Sequence, residues 1–291
     1  MGLIQSSTKG SEANPRIVAI GQATIDVVMI NGRPLSAHTG GSAYIPARIW
    51  AESGVRVGLV SCLGEDLSTA ELRTENLDLR GVITVTGPST SVELRYSDQR
   101  LVGLRVTPGA SERLDVSQVP SDYFEADLFY ISPAPLRFLM ELTERAAAHG
   151  IALAFSPKED FPTIEEPAMR QILSRCKFCF VNEKELSLIT GVARKKVAIT
   201  ALHDAGPDIV IVTGGTKGVT ISSRKDGSFD LSPTLVVRTD NPIGAGDCFA
   251  ASFLSSLIGG HTVTDAAGRA LVSTERWLMN REKSYHSEAE Q

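Results

Sequence analysis

Residues 240–253 read Asp-Asn-Pro-Ile-Gly-Ala-Gly-Asp-Cys-Phe-Ala-Ala-Ser-Phe, so that a carboxylate, Asp247, directly follows the turn Gly244-Ala245-Gly246. From Gly246 the pattern turns helical, with Phe249, Phe253, Leu254, Leu257 and Ile258 on one broad face. The small residues therefore open a helix. Their backbone N–H groups lack partners within it, and the positive end of its dipole faces outward. Such a turn binds anions, and glycine lets a phosphate approach the backbone closely. A carboxylate beside bound phosphate is unfavourable unless it is used. Its use would be to accept the proton of a hydroxyl attacking phosphorus. A weak base suffices, because phosphoryl transfer is largely positioning and charge neutralisation. The plainer alternative is an acidic residue favouring the helix dipole. For this tetrapeptide alone the two weigh about evenly.

Two further stretches bear on the choice. Val212-Thr213-Gly214-Gly215-Thr216-Lys217-Gly218-Val219 reads as a strand end running into a small-residue loop with one lysine, suited to a nucleotide's phosphates or ribose. Hairpin turns look alike, so this stretch is weak by itself. In Val181-Asn182-Glu183-Lys184-Glu185 an amide and a carboxylate three residues apart share a helix face and could hold a hydrated Mg²⁺ near phosphates. A capping pair, Asn182 as N-cap and Glu185 in the first turn, explains them at least as well.

The elements that would position these groups alternate along the chain. Arg16–Ile20, Val55–Val60, Leu128–Ile131, Ile151–Phe155, Phe178–Val181 and Ile209–Val212 are short apolar runs of buried-strand type. Leu235–Arg238 is a further candidate strand, leading into the Gly-Ala-Gly turn. Helical patterns lie between them, including Ser42–Ser53 ahead of Gly54 and Leu136–His149 ahead of Gly150. This order predicts an α/β fold, a mostly parallel sheet with helices on both faces. Residues 90–106 instead alternate apolar and polar, as a half-exposed antiparallel hairpin with a turn at Ser97-Asp98-Gln99, placed to act as a small β lid.

The bulk properties narrow the function. The 291 residues carry a net charge of -5 and no long basic run, so no nucleic-acid partner is expected. No apolar stretch is long enough to span a membrane. Four cysteines are sparse for this length and fit a reducing, cytoplasmic setting. The Cys176-Lys177-Phe178-Cys179 spacing lacks the second pair that zinc would need. None of the five histidines stands in a triad or metal pattern, though His38 lies close enough to the candidate acceptor loop to touch a substrate. Trp50 and Trp277 read as core residues. Arg95, Arg105 and Lys158 read mainly as solvated charges, with Lys158 on a loop that could face a ligand.

Taken in order, these motifs resemble the ribokinase-like carbohydrate kinases, the PfkB family, over about residues 16–280. The 240–253 stretch is similar to that family's C-terminal signature, Asn182-Glu183-Lys184-Glu185 to its Asn-x-x-Glu motif, and residues 212–218 to its nucleotide loop. Residues 40–66 resemble its N-terminal signature, and Ile17–Met29 its first strand. The resemblance implies a three-layer, ribokinase-like kinase domain over residues 15–280, with a lid from about 27–39 and 82–108. A disordered tail at 1–14 and a frayed one at 281–291 flank it. It implies an enzyme that uses ATP and Mg²⁺ to phosphorylate a hydroxyl, with Asp247 as base and the amides of Gly244, Ala245 and Gly246 as anion hole. Asp26, Gly40, Gly41 and Ser42 would bind the acceptor, and Thr213, Gly215, Lys217, Gly218 and Asn182 the nucleotide. Glu185 would hold Mg²⁺ through water, and Asp240 is a candidate ligand for a monovalent cation such as K⁺.

The chain departs from the family where Gly-Gly-Asn-x-x-Asn is usual, having Gly40-Gly41-Ser42-Ala43-Tyr44-Ile45. A site built on hydrogen bonds selects strongly for matching hydroxyls, so the acceptor is expected to be non-standard. Fructosamines, nucleosides and cyclitols all remain open, alongside ordinary sugars. The short link between the first strand and residues 39–41 implies a lid of few strands, and the protein is expected to be a monomer or homodimer. The rival reading is a non-catalytic nucleotide or sugar sensor on the same fold. A dinucleotide-dependent oxidoreductase is disfavoured, because residues 21–26, Gly-Gln-Ala-Thr-Ile-Asp, lack Gly-x-Gly-x-x-Gly.

Overall fold

Short apolar runs bounded by turn residues are buried on both faces here, and they pair into one large sheet. The computed structural model describes residues 4, 14–97, 100–159, 161–237, 239 and 242–289. The first half runs β1 (Ile17–Ile20), β2 (Thr24–Ile30), β3 (Arg33–Gly40), α1 (Tyr44–Glu52), β4 (Val57–Leu63), β5 (Leu77–Thr84), β6 (Ser91–Ser97), β7 (Arg100–Thr107), β8 (Leu128–Ile131) and α2 (Leu136–Ala148). The second runs β9 (Ala152–Phe155), α3 (Pro167–Leu173), β10 (Phe178–Asn182), α4 (Glu183–Thr190), α5 (Lys195–Ala205), β11 (Ile209–Thr213), β12 (Val219–Ser223), β13 (Gly227–Leu231), α6 (Ala245–Ile258) and α7 (Val263–Ala289).

The nine-stranded sheet has the order β13-β12-β11-β10-β9-β8-β1-β4-β5. Every pairing from β11 to β5 is parallel, and β12 and β13 add antiparallel to one edge. Side chains alternate across it. Ile17 and Ala19 join a buried cluster with α1, α6 and α7, whereas Val18 and Ile20 join another with α2, α3, α4 and α5. The result is the three-layer α/β architecture that the alternation of elements predicts.

The smaller sheet has four strands, β3-β2-β6-β7, with two antiparallel hairpins joined by a parallel β2–β6 pairing. A small β sheet of few strands was expected from about 27–39 and 82–108, and these four strands overlap both segments. Asn31 and Gly32 both adopt positive φ, 49° and 78°, the two-residue turn that folds β2 back onto β3. The expected second limb from 82 begins later, at Ser91, because residues 82–84 end the edge strand β5 of the large sheet. The proposed turn residues Asp98 and Gln99 lie outside the described residues.

Two other expectations differ. Residues 235–237 form no strand, and Arg238 lies outside the described residues. The amides of Thr234 and Leu235 donate to Glu275 Oε1 of α7 at 2.7 and 3.1 Å rather than to a neighbouring strand. The C-terminal segment expected to fray from Arg281 is helical through Ala289, continuing α7. Its Arg, Glu, Lys and Ala residues are good helix formers that propagate an existing helix. Of the N-terminal tail, Ile4 is described and is buried in the cluster beneath α6 and α7.

Candidate active site

The carboxyl ends of β9, β10 and β11, the start of α6 and the inner face of the small sheet enclose a cleft of about 1310 Å³. Open parallel sheets place ligands at this end of their strands. Asp26, Gly41, Ser42, Asn182, Glu185, Thr213, Gly215, Gly218 and Gly244 through Asp247 all line it. Gly40 and Lys217 do not appear in its wall, and Asp240 lies outside the described residues.

Gly244, at φ +87°, is the N-cap of α6. This left-handed conformation suits glycine and turns the chain sharply into the helix. The helix's own hydrogen-bond ladder begins with Cys248 N–H donating to Gly244 O at 2.8 Å, so the amides of Gly246 and Asp247 have no partner inside the helix. The Ala245 amide, expected in the anion hole, donates to Pro242 O at 3.1 Å. Asp247 is 7% exposed and borders the cleft. Trp50 Nε1 donates to Ala251 O at 2.8 Å and ties α6 to α1, fixing the helix that carries the carboxylate.

Lys158, from the loop after β9, reaches within 3.3 Å of Asp247 Oδ1. Burial pushes its ammonium toward neutrality, but the charges of Asp247 and Glu185 outweigh this and hold its pKa above the ordinary lysine value. Lys158 is thus a cation set into the cleft rather than a solvated loop charge.

At the small-sheet end, Asp26 Oδ1 accepts from Thr24 Oγ1 at 2.6 Å. A Cβ on Gly40 would lie 2.0 Å from Asp26 Oδ2, and one on Gly41 2.3 Å from the carbonyl oxygen of Gln22. The Gly-Gly pair therefore makes room for Asp26 and for the backbone of the preceding turn. Ser42 Oγ is buried without a hydrogen-bond partner. A buried hydroxyl costs free energy when unpaired, so this atom is suited to a ligand. His38 is exposed on β3 and bonds Ser36 Oγ at 2.9 Å.

At the opposite end, Asn182 and Glu185 form a capping box. Asn182 Oδ1 accepts from Glu185 N–H and Glu185 Oε2 from Asn182 N–H, both at 2.8 Å. Burial pushes the Glu185 carboxyl up, although Lys158 and the Asn182 amide oppose this. The 213–218 loop is a tight turn between β11 and β12, closed by Gly214 N–H on Gly218 O at 2.8 Å. Gly218, at φ +92°, has no room for a Cβ, which would meet Leu231 O at 2.0 Å. Lys217 Nζ turns away to Glu183 Oε2 at 2.9 Å. Glu275, 9% exposed, also lines the cleft, and no pattern in α7 distinguishes it beforehand.

Among the described residues no group of three or more His, Cys, Asp or Glu side chains is placed to hold a metal. Cys62, Cys176, Cys179 and Cys248 are buried free thiols, and burial pushes Cys176 up to about 12 and Cys248 up to about 11. Glu185 beside Asn182 and the start of α6 fits a hydrated Mg²⁺, which prefers one or two carboxylates plus substrate phosphates to a cage of protein ligands.

A family model described as pfkB family carbohydrate kinase matches residues 14–273. The chain is 31% identical over 246 residues to a cytidine kinase of Thermococcus kodakarensis, covering 82% of this chain and 87% of that one. It is 24% identical over 269 residues to a ribokinase of Haemophilus influenzae, covering 86% and 84%. Among solved structures, Arabidopsis thaliana ribokinase complexed with ribose and ATP aligns with a TM-score of 0.76 at 18% identity, covering 90% of this chain and 92% of that chain. Sinorhizobium meliloti adenosine kinase aligns with a TM-score of 0.77 at 17% identity, covering 90% and 93%. These structures share the fold.

Proposed function

The chain belongs to the pfkB family of carbohydrate kinases, and on that premise we propose that it moves the γ-phosphoryl group of ATP to a hydroxyl of a nucleoside, with Asp247 as general base. The observation that carries this reading is the buried Asp247 in the first turn of α6, on the wall of a cleft that also holds Asp26.

In this mechanism Asp26 accepts a hydrogen bond from one acceptor hydroxyl, and the unpartnered Ser42 Oγ bonds another. The reacting hydroxyl points at Asp247, which takes its proton as the oxygen attacks the γ-phosphorus. The amides at the start of α6 receive the phosphoryl oxygens, as preorganised donors aimed at developing charge. The 213–218 loop and Asn182 carry the nucleotide, and Leu271 and Leu278 supply apolar surface for its base. Glu185 would hold Mg²⁺ through water, and the ion would supply positive charge to the nucleotide phosphates. The small sheet acts as a lid on the unit formed by residues 15–280 and excludes water. The four free thiols support a reducing, cytoplasmic setting, and among the described residues no helix is long and apolar enough to cross a membrane.

A nucleoside is favoured over a free sugar for two reasons. The relative at 31% identity is named a cytidine kinase. On the lid, Asp26 pairs across the sheet with Val92, and Val92 with Val106, so two aliphatic side chains continue the row from the acceptor carboxylate. Ile45 and Leu104 add to the same wall. That surface suits a flat base better than further hydroxyls. An ADP-release assay over pentoses, fructosamines, nucleosides and inositols tests this. Nucleosides should give the highest kcat/KM; faster turnover of a free sugar or inositol would overturn the acceptor, and no ADP release above the blank with any of them would overturn the kinase reading.

A further inference from the structure

The phosphoryl group in transit spreads negative charge over three oxygens, and the cleft offers few cations to meet it. Among the described residues lining it, the cationic side chains are Lys158 and Lys184. Lys184 is 67% exposed and its ammonium pairs with Glu159 at the rim. Lys158 points inward. The buried pair Ser156-Pro157 carries it off the end of β9, and proline fixes φ at its own position and holds the preceding residue extended. Its Nζ stops 3.3 Å from Asp247 Oδ1, beside the first turn of α6.

An ammonium resting on the base would be a poor arrangement if pairing were its only task. It would stabilise the very charge that must be given up when Asp247 takes a proton, and an ion pair whose lysine is 36% exposed contributes little net stability. The geometry points to a second partner. We propose that Lys158 is a catalytic residue whose ammonium contacts an oxygen of the migrating phosphoryl group once the acceptor hydroxyl occupies Asp247. This rests on the reading of Asp247 as base. The bond from γ-phosphorus to the ADP oxygen breaks, and a bond from γ-phosphorus to the acceptor oxygen forms. The acceptor proton passes to Asp247, and Lys158 keeps all its protons, supplying charge and hydrogen bonds alone.

Lys158→Met, Lys158→Arg and Asp247→Asn, measured in parallel on the best acceptor, test the proposal. Lys158→Met should lower kcat roughly 100- to 1000-fold, the loss typical of one transition-state donor, with the KM for ATP within about threefold. Lys158→Arg should recover at least about tenfold of that loss by restoring the charge. In calorimetry Lys158→Met should weaken a transition-state analogue, ADP with aluminium fluoride, while leaving ADP affinity unchanged. Lys158→Gln replaces Lys158→Met if the methionine variant melts lower than wild type. If Lys158→Met matches or exceeds wild-type kcat, the lysine merely masks the base and the proposal fails. If Asp247→Asn also keeps its turnover, the assignment of the base fails, and the proposal with it. If wild type phosphorylates nothing, the calorimetric comparison alone decides, and equal loss for the analogue and ADP overturns the proposal.

Discussion

Lys158 Nζ stands 3.3 Å from Asp247 Oδ1, joining residues 89 positions apart in the chain. The lysine comes from the loop that ends β9 and the aspartate from the helix that caps the cleft. The pair therefore joins the carboxyl end of the central strand β9 to the first turn of α6.

The fit of Asp26 against Gly40 predicts a selective defect. Gly40→Ala would place a methyl group 2.0 Å from Asp26 Oδ2 and push the carboxylate out of position. Losing a hydrogen bond to a charged group costs about 1.5–3 kcal/mol, so steady-state kinetics should give an acceptor KM raised by roughly tenfold or more. The KM for ATP should stay near wild type.

Glu275 predicts the complementary defect. It receives the amides of Thr234 and Leu235 and the Thr234 hydroxyl at 2.6 Å, holding Leu235 on the cleft wall, at the end where the proposed nucleotide would lie. Glu275→Ala should raise the KM for ATP by about tenfold or more, with kcat changed far less, because hydrogen bonds to a charge are worth about 1.5–3 kcal/mol. Glu275→Gln should recover part of the loss.

Away from the cleft, Asp78 on the edge strand predicts an acid-side effect. Burial pushes its carboxyl up, but hydrogen bonds and charge from Arg80, which also bridges to Asp122, outweigh this and hold it below the ordinary carboxylate value. A depressed carboxyl contributes stability above its unfolded pKa and loses it as pH falls through the folded value. Asp78→Asn should therefore melt lower than wild type at neutral pH, by roughly 1 kcal/mol or less because Arg80 is largely exposed. The two melting curves should converge as pH falls below the ordinary carboxylate range; a constant gap would show that the charge is not responsible.

Much of this was legible in the sequence because it is local. Asp247 behind Gly244-Ala245-Gly246 needs only helix-start physics, and the Asn182–Glu185 spacing dictates the capping box that forms. The hairpin that opens the smaller sheet was also written locally, in Asn31-Gly32. Leu235-Val236-Val237 reads as a strand by apolarity and is not one, because Glu275, forty residues on, takes the backbone donors at its start. Lys158 was obscure for the same reason. Nothing near Ser156-Pro157-Lys158 announces a carboxylate that approaches only when the sheet and α6 are assembled. Composition and periodicity report what a residue prefers, whereas these two contacts depend on where the rest of the chain goes.

The account stands most directly on the turnover of Asp247→Asn with an accepted substrate, measured beside its affinity for ATP. Removing a general base should lower kcat by roughly 100- to 10,000-fold. ATP should bind within about threefold of wild type, because the lost interaction acts in the transition state. A variant that keeps most of its turnover, with ATP bound normally, would contradict the role given to this carboxylate.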